Sequence, residues 1–490
     1  ETPPSTERER EGERAAQVEG TLCVRTMRFP VAVMAVAVVV GTALSLLIAP
    51  GVHADTPASC MFDQYLGEWS YHVGSEESTN TIDCSGNLEN TREYRLHLQE
   101  PDVAVDSEGH KGFWTRIYNQ GVEVTIADRK FFAFSYYETK NGNTTSFCDR
   151  TFNGWVHRVD GTHWGCFYGV KRSALAPTST PATVLAPHQE AAIWQSEAAM
   201  VERINKRQSL WKAADYPQWH GRRVAEVRAM AGVPAGTPWP MKIQSQTLAQ
   251  HHVGDLPKSI DWTNFEGRNF VSPVRNQGSC GSCYAFASMA LVEARIRIAS
   301  NLTNQVILST QDPVSCSEYA QGCDGGFPYL IAGKYGEDFG LVPEECFPYE
   351  SGSGNKNIPC SKRCKTPSRV YKTTDYYYVG GYFGACSERE MMVELLARGP
   401  VAVSFEVTSD FMTYKGGIYS SNTNEVGINP FGVTNHVVLV VGYGEENGVP
   451  FWKVKNSWGT EWGENGYFRI VRGKNELNIE TMAVAVTPIL

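Results

Sequence analysis

Three short stretches of the chain contain residue types that work together in nucleophilic catalysis. They span residues 275–286, 434–436 and 455–459. They supply Cys283 as a nucleophile, His436 as a proton carrier and Asn456 as an amide that can hold an imidazole by its ring N–H. Gln277 adds a side-chain N–H that, with the backbone N–H of Cys283, can stabilise the negative oxygen of a tetrahedral intermediate.

The surroundings of Cys283 set it apart from an ordinary half-cystine, which is the usual state of a cysteine in a secreted protein. Gly281-Ser282 precede it, and apolar residues then recur at every fourth position, at Phe286, Ala290, Ala294 and Ile298. This pattern predicts a helix with Cys283 in its first turn. The positive end of the helix dipole favours a thiolate there.

His436 and Asn456 are predicted to meet across a β-hairpin. A strand from His436 to Tyr443, a turn at 444–448 and a return strand ending at Lys455 place the midpoint of the two residues, (436 + 456)/2 = 446, in the turn. An antiparallel pair therefore brings Asn456 beside His436.

Composition limits the class of protein that carries these groups. The chain has 490 residues, 42% of them hydrophobic, with a net charge of −9. Such a chain forms two to four soluble domains, and its acidic balance argues against a nucleic-acid binder. Its 13 cysteines indicate an oxidising compartment.

The start of the chain has the parts of a secretory signal. Met27 and Arg28 precede an apolar run over 31–49, and Val52-His53-Ala54 offers a cleavage site. We expect Met27 to be the initiator and Asp55 the mature N-terminus, so that the mature protein has no membrane segment. A membrane anchor is the alternative. Sequons at Asn143 and Asn301 fit a glycosylated secretory chain.

Changes in composition and residue pattern divide the chain into four segments. Residues 1–54 are the extension and signal, and residues 55–173 are an all-β unit. Residues 174–255 are a connector or removable pro-segment, and residues 256–490 are an α+β unit. Short strands in 55–173, such as 94–98, 121–126 and 131–134, predict a small barrel or sandwich. The linker 174–187 is rich in Ala, Pro and Thr. Beyond it, Ile193, Met200, Ile204 and Trp211 are spaced as one apolar helix face. In the last unit, strands are predicted at 401–405, 436–443 and 451–455.

The chemical residues resemble the papain-like cysteine peptidases over residues 256–490. The resemblance rests on Cys280-Gly281-Ser282-Cys283-Tyr284 and on Asn456-Ser457-Trp458-Gly459. It implies a two-lobed catalytic domain with a helical lobe and a β-barrel lobe. In the cleft between them, Cys283 and His436 form a thiolate–imidazolium pair, Asn456 aligns the ring and Trp458 shields it.

The whole chain resembles one branch of that family, in which a small all-β barrel exclusion domain precedes a helical pro-segment. The matching stretches are Asp55-Thr56-Pro57-Ala58-Ser59-Cys60 and Gly325-Gly326-Phe327-Pro328-Tyr329. The likeness implies a lysosomal or secreted exopeptidase that removes dipeptides, because the carboxylate of Asp55 holds the free amine of the substrate. It further implies a chloride ion bound near Phe327, Tyr329 and Tyr378, and a tetramer formed after cleavage by processing peptidases.

The likeness also implies which cysteines form disulfides. The sequence alone allows three pairings of the four cysteines in the β unit and fifteen pairings of six cysteines in the catalytic unit. It implies the pairs Cys60–Cys148, Cys84–Cys166, Cys280–Cys323, Cys316–Cys360 and Cys346–Cys364. Cys386 keeps its thiol. The cleavage that the likeness implies near 424–429 has no aspartate at the cut, in departure from the pattern of this branch.

Two other functions compete with this interpretation. One is a papain-like endopeptidase whose N-terminal domain has an unrelated role, and the other is an inactive secreted binding protein on the same fold. The second is disfavoured because Cys283, His436 and Asn456 are all present. No metal is expected, since His251-His252 lie side by side without ligand spacing around them.

Overall fold

The computed structural model describes residues 57–140, 143–180, 187–194, 198–230, 232, 256–354, 358–421 and 435–490. The predicted signal, Asp55, His251-His252 and the expected cleavage region at 424–429 lie outside the described residues, so the predictions made for them are not tested by the fold.

The N-terminal unit is a barrel, which decides between the two all-β architectures expected from the sequence. A short helix, α1 (Phe62–Tyr65), precedes the strands. They are β1 (Gly67–Glu77), β2 (Arg92–Gln99), β3 (Val103–Asp106), β4 (Lys111–Ile117), β5 (Gly121–Ile126), β6 (Arg129–Lys140), β7 (Asn143–Thr151), β8 (Gly154–Arg158), β9 (Trp164–Lys171) and β10 (Thr178–Thr180). Eight of them close the barrel in the order β1-β2-β3-β4-β5-β6-β8-β9, with β9 pairing back to β1 and every pair antiparallel. β7 pairs with β6 and β9, and β10 pairs with β7.

Aromatic side chains fill the barrel. Trp69, Tyr71, Trp114, Phe131 and Phe167 are buried and belong to one apolar cluster. Tyr71 packs edge-on to Phe131 at 5.3 Å between ring centroids. Edge-to-face contacts of this kind add to the stabilisation from burial itself. The alternation seen in the sequence of β2 appears in its burial, where Leu96 and Leu98 point into the barrel between exposed neighbours.

The next segment is only partly helical, and the single apolar helix face predicted for it is wrong. The elements are α2 (Pro187–Ala191), α3 (Ala198–Arg207), β11 (Trp211–Ala213), a 3-10 turn at Pro217–Trp219 and α4 (Val224–Arg228). Met200 and Ile204 are the buried residues of α3. Ile193 lies ahead of that helix and is half exposed, while Trp211 is buried in a strand that pairs with the catalytic unit.

The C-terminal unit is the expected α+β unit, with all but one of its α-helices in the first half. They are α5 (Cys283–Ala299), α6 (Gln311–Cys316), a π-helical segment (Tyr329–Tyr335) continued by α7 (Gly336–Asp338), and α8 (Glu388–Ala397). Short 3-10 turns lie at Gly322–Asp324, Glu344–Cys346, Ser351–Ser353, Cys360–Lys362, Phe411–Thr413 and Glu476–Asn478. α5 is buried on all sides from Cys283 to Arg297, which makes it the central helix of the unit.

The strands of this unit form a nine-stranded sheet that includes β11 of the preceding segment. They are β12 (Ile260–Asp261), β13 (Lys372–Tyr378), β14 (Val401–Glu406), β15 (Tyr414–Tyr419), β16 (Asn435–Glu446), β17 (Val449–Lys455), β18 (Tyr467–Val471) and β19 (Ala483–Ile489). The order is β11-β15-β18-β17-β16-β14-β19-β13, with β12 on β16. The strands predicted at 401–405, 436–443 and 451–455 are confirmed as β14, β16 and β17.

Five disulfides link the pairs that the family resemblance implies. They are Cys60–Cys148, Cys84–Cys166, Cys280–Cys323, Cys316–Cys360 and Cys346–Cys364. Cys283 and Cys386 keep their thiols and are buried. Across the described part of the chain, no helix has both the length and the apolar character to cross a membrane.

Candidate active site

Cys283 is the first residue of α5, as the Gly281-Ser282 sequence predicts. Its side chain is fully buried, and the backbone N–H groups of Val437 and Gly232 act to lower the pKa of its thiol. Val437 directly follows His436 on β16. The start of the central helix and the start of this strand therefore meet at the thiol, as the sequence motifs require.

His436 and Asn456 are joined by a hydrogen bond of 2.8 Å between Nε2 and Oδ1. The backbone N–H of Ser457, which can only donate, also points at Oδ1, at 2.8 Å. The amide atom facing the ring is therefore the oxygen, and Nε2 must carry the proton. In the neutral ring, Nδ1 is left as a buried proton acceptor without a hydrogen-bond partner among the described residues. Trp458 stacks on the ring at 4.9 Å between centroids, so the predicted shielding is present.

The hairpin behind this contact has the predicted antiparallel form. β16 and β17 pair from Glu446 opposite Val449 to Leu439 opposite Lys455, with a bulge between Val440 and Gly442. Asn456 comes directly after β17, its backbone N–H donates to the carbonyl of Gly466 at 3.0 Å, and its side chain reaches back to the ring. The sequence arithmetic thus placed the two residues correctly.

Gln277 is fully buried beside the thiol. Its Nε2 donates to the carbonyl oxygen of Met230 at 2.6 Å and to that of Cys280 at 2.8 Å. Its Oε1 accepts from the hydroxyl of Ser457 at 2.6 Å, which fixes the orientation of the amide. The carbonyl of Met230 thus occupies the place at this amide where the carbonyl oxygen of a substrate is expected.

The segment ahead of the catalytic unit crosses the site, which sequence reasoning did not foresee. The carbonyl of Gly232 accepts from the backbone N–H of Gly326 at 3.0 Å. A Cβ on Gly232 would lie 2.8 Å from the sulfur of Cys283, so only glycine fits over the nucleophile without a shift. Trp219 packs edge-on against Trp458 at 5.9 Å. Nothing in the sequence of this segment marks it as a cleft ligand, because its hydrogen bonds to Gln277 and Gly326 are made by backbone carbonyls.

With that segment in place, burial favours the uncharged forms of both catalytic groups. Burial raises the pKa of Cys283 to about 11, although four backbone N–H groups, including those of Val437 and Gly232, oppose the change. Burial lowers the pKa of His436 to about 4, against the hydrogen bond to Asn456. Desolvation therefore outweighs the helix terminus here, and the pair is a thiol and a neutral imidazole in this structure.

The barrel reaches the wall of the cleft through residues that carry no motif. Tyr118 stacks on Phe327 with 3.6 Å between ring centroids and packs edge-on against Tyr378 at 6.4 Å. Glu123, buried on β5, accepts hydrogen bonds from the hydroxyls of Tyr329 at 3.0 Å and Tyr376 at 2.8 Å. An alternating strand pattern predicts which barrel residues point outward but not what they contact, so these were missed.

The three predicted chloride-binding residues lie together. The rings of Tyr329 and Tyr378 stack at 4.4 Å, and both are buried with Phe327. The Tyr378 hydroxyl makes no hydrogen bond with other described residues and lies near the backbone of Tyr118. Burial raises the pKa of both tyrosines well above the usual range, so both hydroxyls remain donors. The hydroxyl of Tyr378 can therefore donate to an anion, whereas the hydroxyl of Tyr329 donates to Glu123.

Asp55 lies outside the described residues, but Ala58 and Cys60, a few residues further on, are held by hydrogen bonds to the barrel. The side chain of Asn119 donates to the carbonyl of Ala58 at 3.3 Å, and the backbone carbonyl of Asn119 accepts from the backbone N–H of Cys60 at 2.8 Å. Arg116, buried to 95%, donates to the carbonyl of Cys60 at 3.1 Å. Asn119 directly follows Tyr118, so the loop that packs on the cleft wall also holds the start of the barrel domain.

One cluster among the described residues has the spacing of a metal site, namely His157, Glu337 and Asp338. Two ammonium groups already neutralise its carboxylates. Lys334 lies 3.0 Å from Asp338 and 3.4 Å from His157, and Lys130 lies 2.6 Å from Glu337. These cations join the barrel to the catalytic unit and compete with a metal ion for the same ligands.

Comparison with known proteins agrees with the fold and the site. Residues 256–487 match the model of the papain family cysteine protease, and residues 55–171 match that of the cathepsin C exclusion domain. Cathepsin C of Schistosoma mansoni is 40% identical over 463 residues, which cover 89% of this chain and 96% of that protein.

The chain is also similar to two solved structures of related proteases. The proCathepsin B S9 of Trypanosoma congolense superposes with a TM-score of 0.50 at 27% identity, covering 60% of this chain and 98% of that one. The digestive procathepsin L2 of Tenebrio molitor gives 0.47 at 30% identity, covering 60% of this chain and 91% of that one.

A thiol at a helix start, an imidazole and a carboxamide, set between a helical half and a sheet, define a papain-type cysteine protease. The barrel that precedes them gives the narrower assignment: the chain belongs to the cathepsin C family, whose members are cysteine-type dipeptidyl peptidases.

Proposed function

We propose that this chain is the inactive precursor of a lysosomal or secreted dipeptidyl peptidase that uses Cys283, His436, Asn456 and Gln277. The proposal rests on the hydrogen bond that the side-chain amide of Gln277 donates to the carbonyl of Met230, close to the buried thiol. A peptide segment already lies where a substrate would, and it withholds the nucleophile from solvent.

The chemistry follows from these positions once the segment leaves. His436 takes the thiol proton at Nδ1, and the sulfur of Cys283 adds to the peptide carbonyl carbon. The oxygen becomes negative and is stabilised by the Gln277 side chain and the Cys283 backbone N–H. His436 then gives its proton to the leaving amine as the C–N bond breaks, which leaves a thioester. Water loses a proton to His436, adds to the thioester carbon and releases the dipeptide with Cys283 restored.

Restriction to dipeptides follows from a negative charge near the closed end of the cleft. We assign this role to the Asp55 carboxylate, which would hold the substrate ammonium by a charge-assisted hydrogen bond. This assignment is supported by the hydrogen bonds from Asn119 and Arg116 to the carbonyls of residues 58 and 60. These bonds lie next to the contact of Tyr118 with the cleft wall. Three peptide units span at most about 11 Å, so the mature N-terminus stays close to that wall.

A monovalent anion near Tyr378 is proposed as part of the same pocket. Tyr378, and Tyr329 after it leaves Glu123, would donate their hydroxyl protons to it, with Phe327 packed alongside. When bound, chloride adds a fixed negative charge to the floor of the pocket. Tyr378→Phe is expected to reduce the rise in melting temperature that added chloride gives the wild-type protein, whereas a rise equal to the wild type would count against this site.

Peptides with free N-termini are the proposed substrates, and processing peptidases remove the pro-segment, residues 174–255. A homotetramer is proposed from the resemblance alone, and size measurement of the processed enzyme tests it.

The deciding experiment compares a free-amine peptide with its N-acetylated form. The activated enzyme should release dipeptides from the first and leave the second intact. Cys283→Ala should abolish release, and Cys386→Ala, which removes the other buried thiol, is the matched control that should keep it. Cleavage of the acetylated peptide at a similar rate would instead favour an endopeptidase.

A further inference from the structure

The side-chain amide of Asn456 has two polar atoms, and the described residues offer a hydrogen-bond partner to only one of them. Oδ1 of Asn456 accepts from His436 and from Ser457. Its Nδ2 is buried and has no hydrogen-bond partner in the part of the chain that the structure describes. A buried donor without a partner costs about 1–3 kcal/mol, and a side-chain amide that can rotate is oriented only when both ends are engaged.

A small cavity lies behind this amide, between α5 and the paired strands β16 and β17. Asn456 lines it together with Ser457, Lys455 and Glu293. The volume open to the centre of a water molecule is about 20 Å³. About 10–15 Å³ of such volume holds one water, provided that polar partners surround it.

Three charged residues line the cavity: Glu293, Lys455 and Arg275, whose guanidinium is already paired with Glu344 at 2.7 Å. Glu293 on α5 is 1% exposed, and its carboxylate accepts from the backbone N–H of Leu308 at 2.8 Å. A carboxylate accepts several hydrogen bonds, so capacity remains. Lys455 is 6% exposed and donates to the hydroxyl of Ser272 at 3.0 Å. Lys455 forms no direct ion pair with any described residue. Its electrostatic interaction with Glu293 therefore acts across the cavity.

The charge state of Lys455 supports this arrangement. Burial lowers the pKa of Lys455 to about 8, and the Glu293 carboxylate acts in the opposite direction. The ammonium form therefore prevails at acidic pH. A water between the two groups can donate to Glu293 while accepting from Lys455 and from Asn456, which satisfies all three.

We propose that one ordered water in this cavity links Nδ2 of Asn456 to the carboxylate of Glu293, and that Glu293 is thereby a positioning residue for the catalytic amide. The link keeps Oδ1 toward His436. A flipped amide would present an N–H to the N–H of the ring, and the imidazolium would lose its acceptor. The inference rests on the proposed role of Asn456.

The test removes the acceptor and reads the charge state of the thiol. In the activated enzyme, Glu293→Leu should lower kcat for dipeptide release by about 10- to 100-fold with KM nearly unchanged, because geometry and not binding is lost. The pH midpoint for alkylation of Cys283 by iodoacetamide should rise by about half a unit, because a weaker imidazolium stabilises less thiolate. Glu293→Gln keeps an acceptor oxygen and should stay close to the wild type in both measurements.

A matched control separates positioning from loss of stability. Glu394 is a second buried carboxylate of the unit, paired with Arg295 at 2.8 Å. Glu394→Leu should lower the melting temperature without moving the alkylation midpoint. An unshifted midpoint in Glu293→Leu would overturn the inference while dipeptide release, and with it the proposed function, stood.

A high-resolution electron-density map of the wild-type protein gives the second measurement, which holds even if the leucine variant fails to fold. Density for a water within hydrogen-bond distance of both Asn456 Nδ2 and Glu293 is expected, and its absence would refute the link.

Discussion

The side-chain amide of Gln277 donates to the carbonyl oxygen of Met230 at 2.6 Å. An amide that is expected to stabilise a substrate oxygen is thus engaged by the chain itself. The same donor serves inhibition in the precursor and catalysis after activation, and both roles can be measured on one residue.

Replacement of Gln277 by alanine should lower kcat/KM of the activated enzyme by about 100-fold, since loss of one donor to the oxyanion costs about 3 kcal/mol. Because Gln277 also accepts from Ser457, Ser457→Ala serves as a control that removes that contact but keeps the donor. It should cost far less. Equal losses in the two variants would show that Gln277 matters only for packing.

Substitution of Gly232 by alanine should weaken the inhibition of the precursor. The added Cβ would lie 2.2 Å from the carbonyl oxygen of Gly281 and 2.8 Å from the sulfur of Cys283. The segment must move away, so an active-site thiol probe should label the unprocessed protein several-fold faster than the wild type. Arg223→Ala, which changes an exposed side chain of the same segment, should leave the labelling rate unchanged. If the two variants label alike, Gly232 does not guard the thiol.

The loop that holds residues 58–60 should affect substrate binding more than chemistry. Asn119→Ala removes the hydrogen bond to the carbonyl of Ala58. We expect KM for a free-amine dipeptide substrate to rise about 10-fold at nearly constant kcat, because the amine anchor loses its fixed position. Asn153→Ala is the control, since Asn153 holds a different barrel loop through the carbonyls of Cys84 and Gly86. A fall confined to kcat would contradict this role.

The junction between barrel and catalytic unit should weaken in acid. Burial lowers the pKa of His157 to about 4, and Lys334 and Lys130 act in the same direction while Asp338 opposes them. The unfolded chain binds this proton near pH 6.5, so stability is full above that pH and declines as pH falls toward 4.

Unfolding by denaturant at several pH values tests that slope. His157→Gln should flatten the decline between pH 6.5 and 4, whereas His188→Gln, at an exposed position, should leave it as in the wild type. A wild-type slope in His157→Gln would show that other groups set the acid sensitivity.

The sequence predicts the catalytic residues because local rules determine their places. Gly281-Ser282 and the apolar repeat start α5 at Cys283, and the hairpin turn brings Asn456 to His436. The disulfide pairs were supplied by the family resemblance, since spacing leaves fifteen pairings open.

The features that escape sequence reasoning are those made by backbone or by non-local contact. Gly232 and Met230 use their carbonyls, which leave no pattern in side chains. Trp211 is spaced like a helix residue but forms a strand, because pairing with β15 overrides local propensity. Glu123 is buried only because the barrel docks on Tyr329 and Tyr376.

The most direct test of the account is peptide mapping of the activated enzyme after reaction with a free-amine, dipeptide-based thiol probe. We predict one equivalent of adduct on Cys283, none on Cys386, and loss of dipeptide release in proportion to labelling. Complete modification of Cys283 with dipeptide release intact, or an adduct on another residue that accounts for the loss, would contradict it.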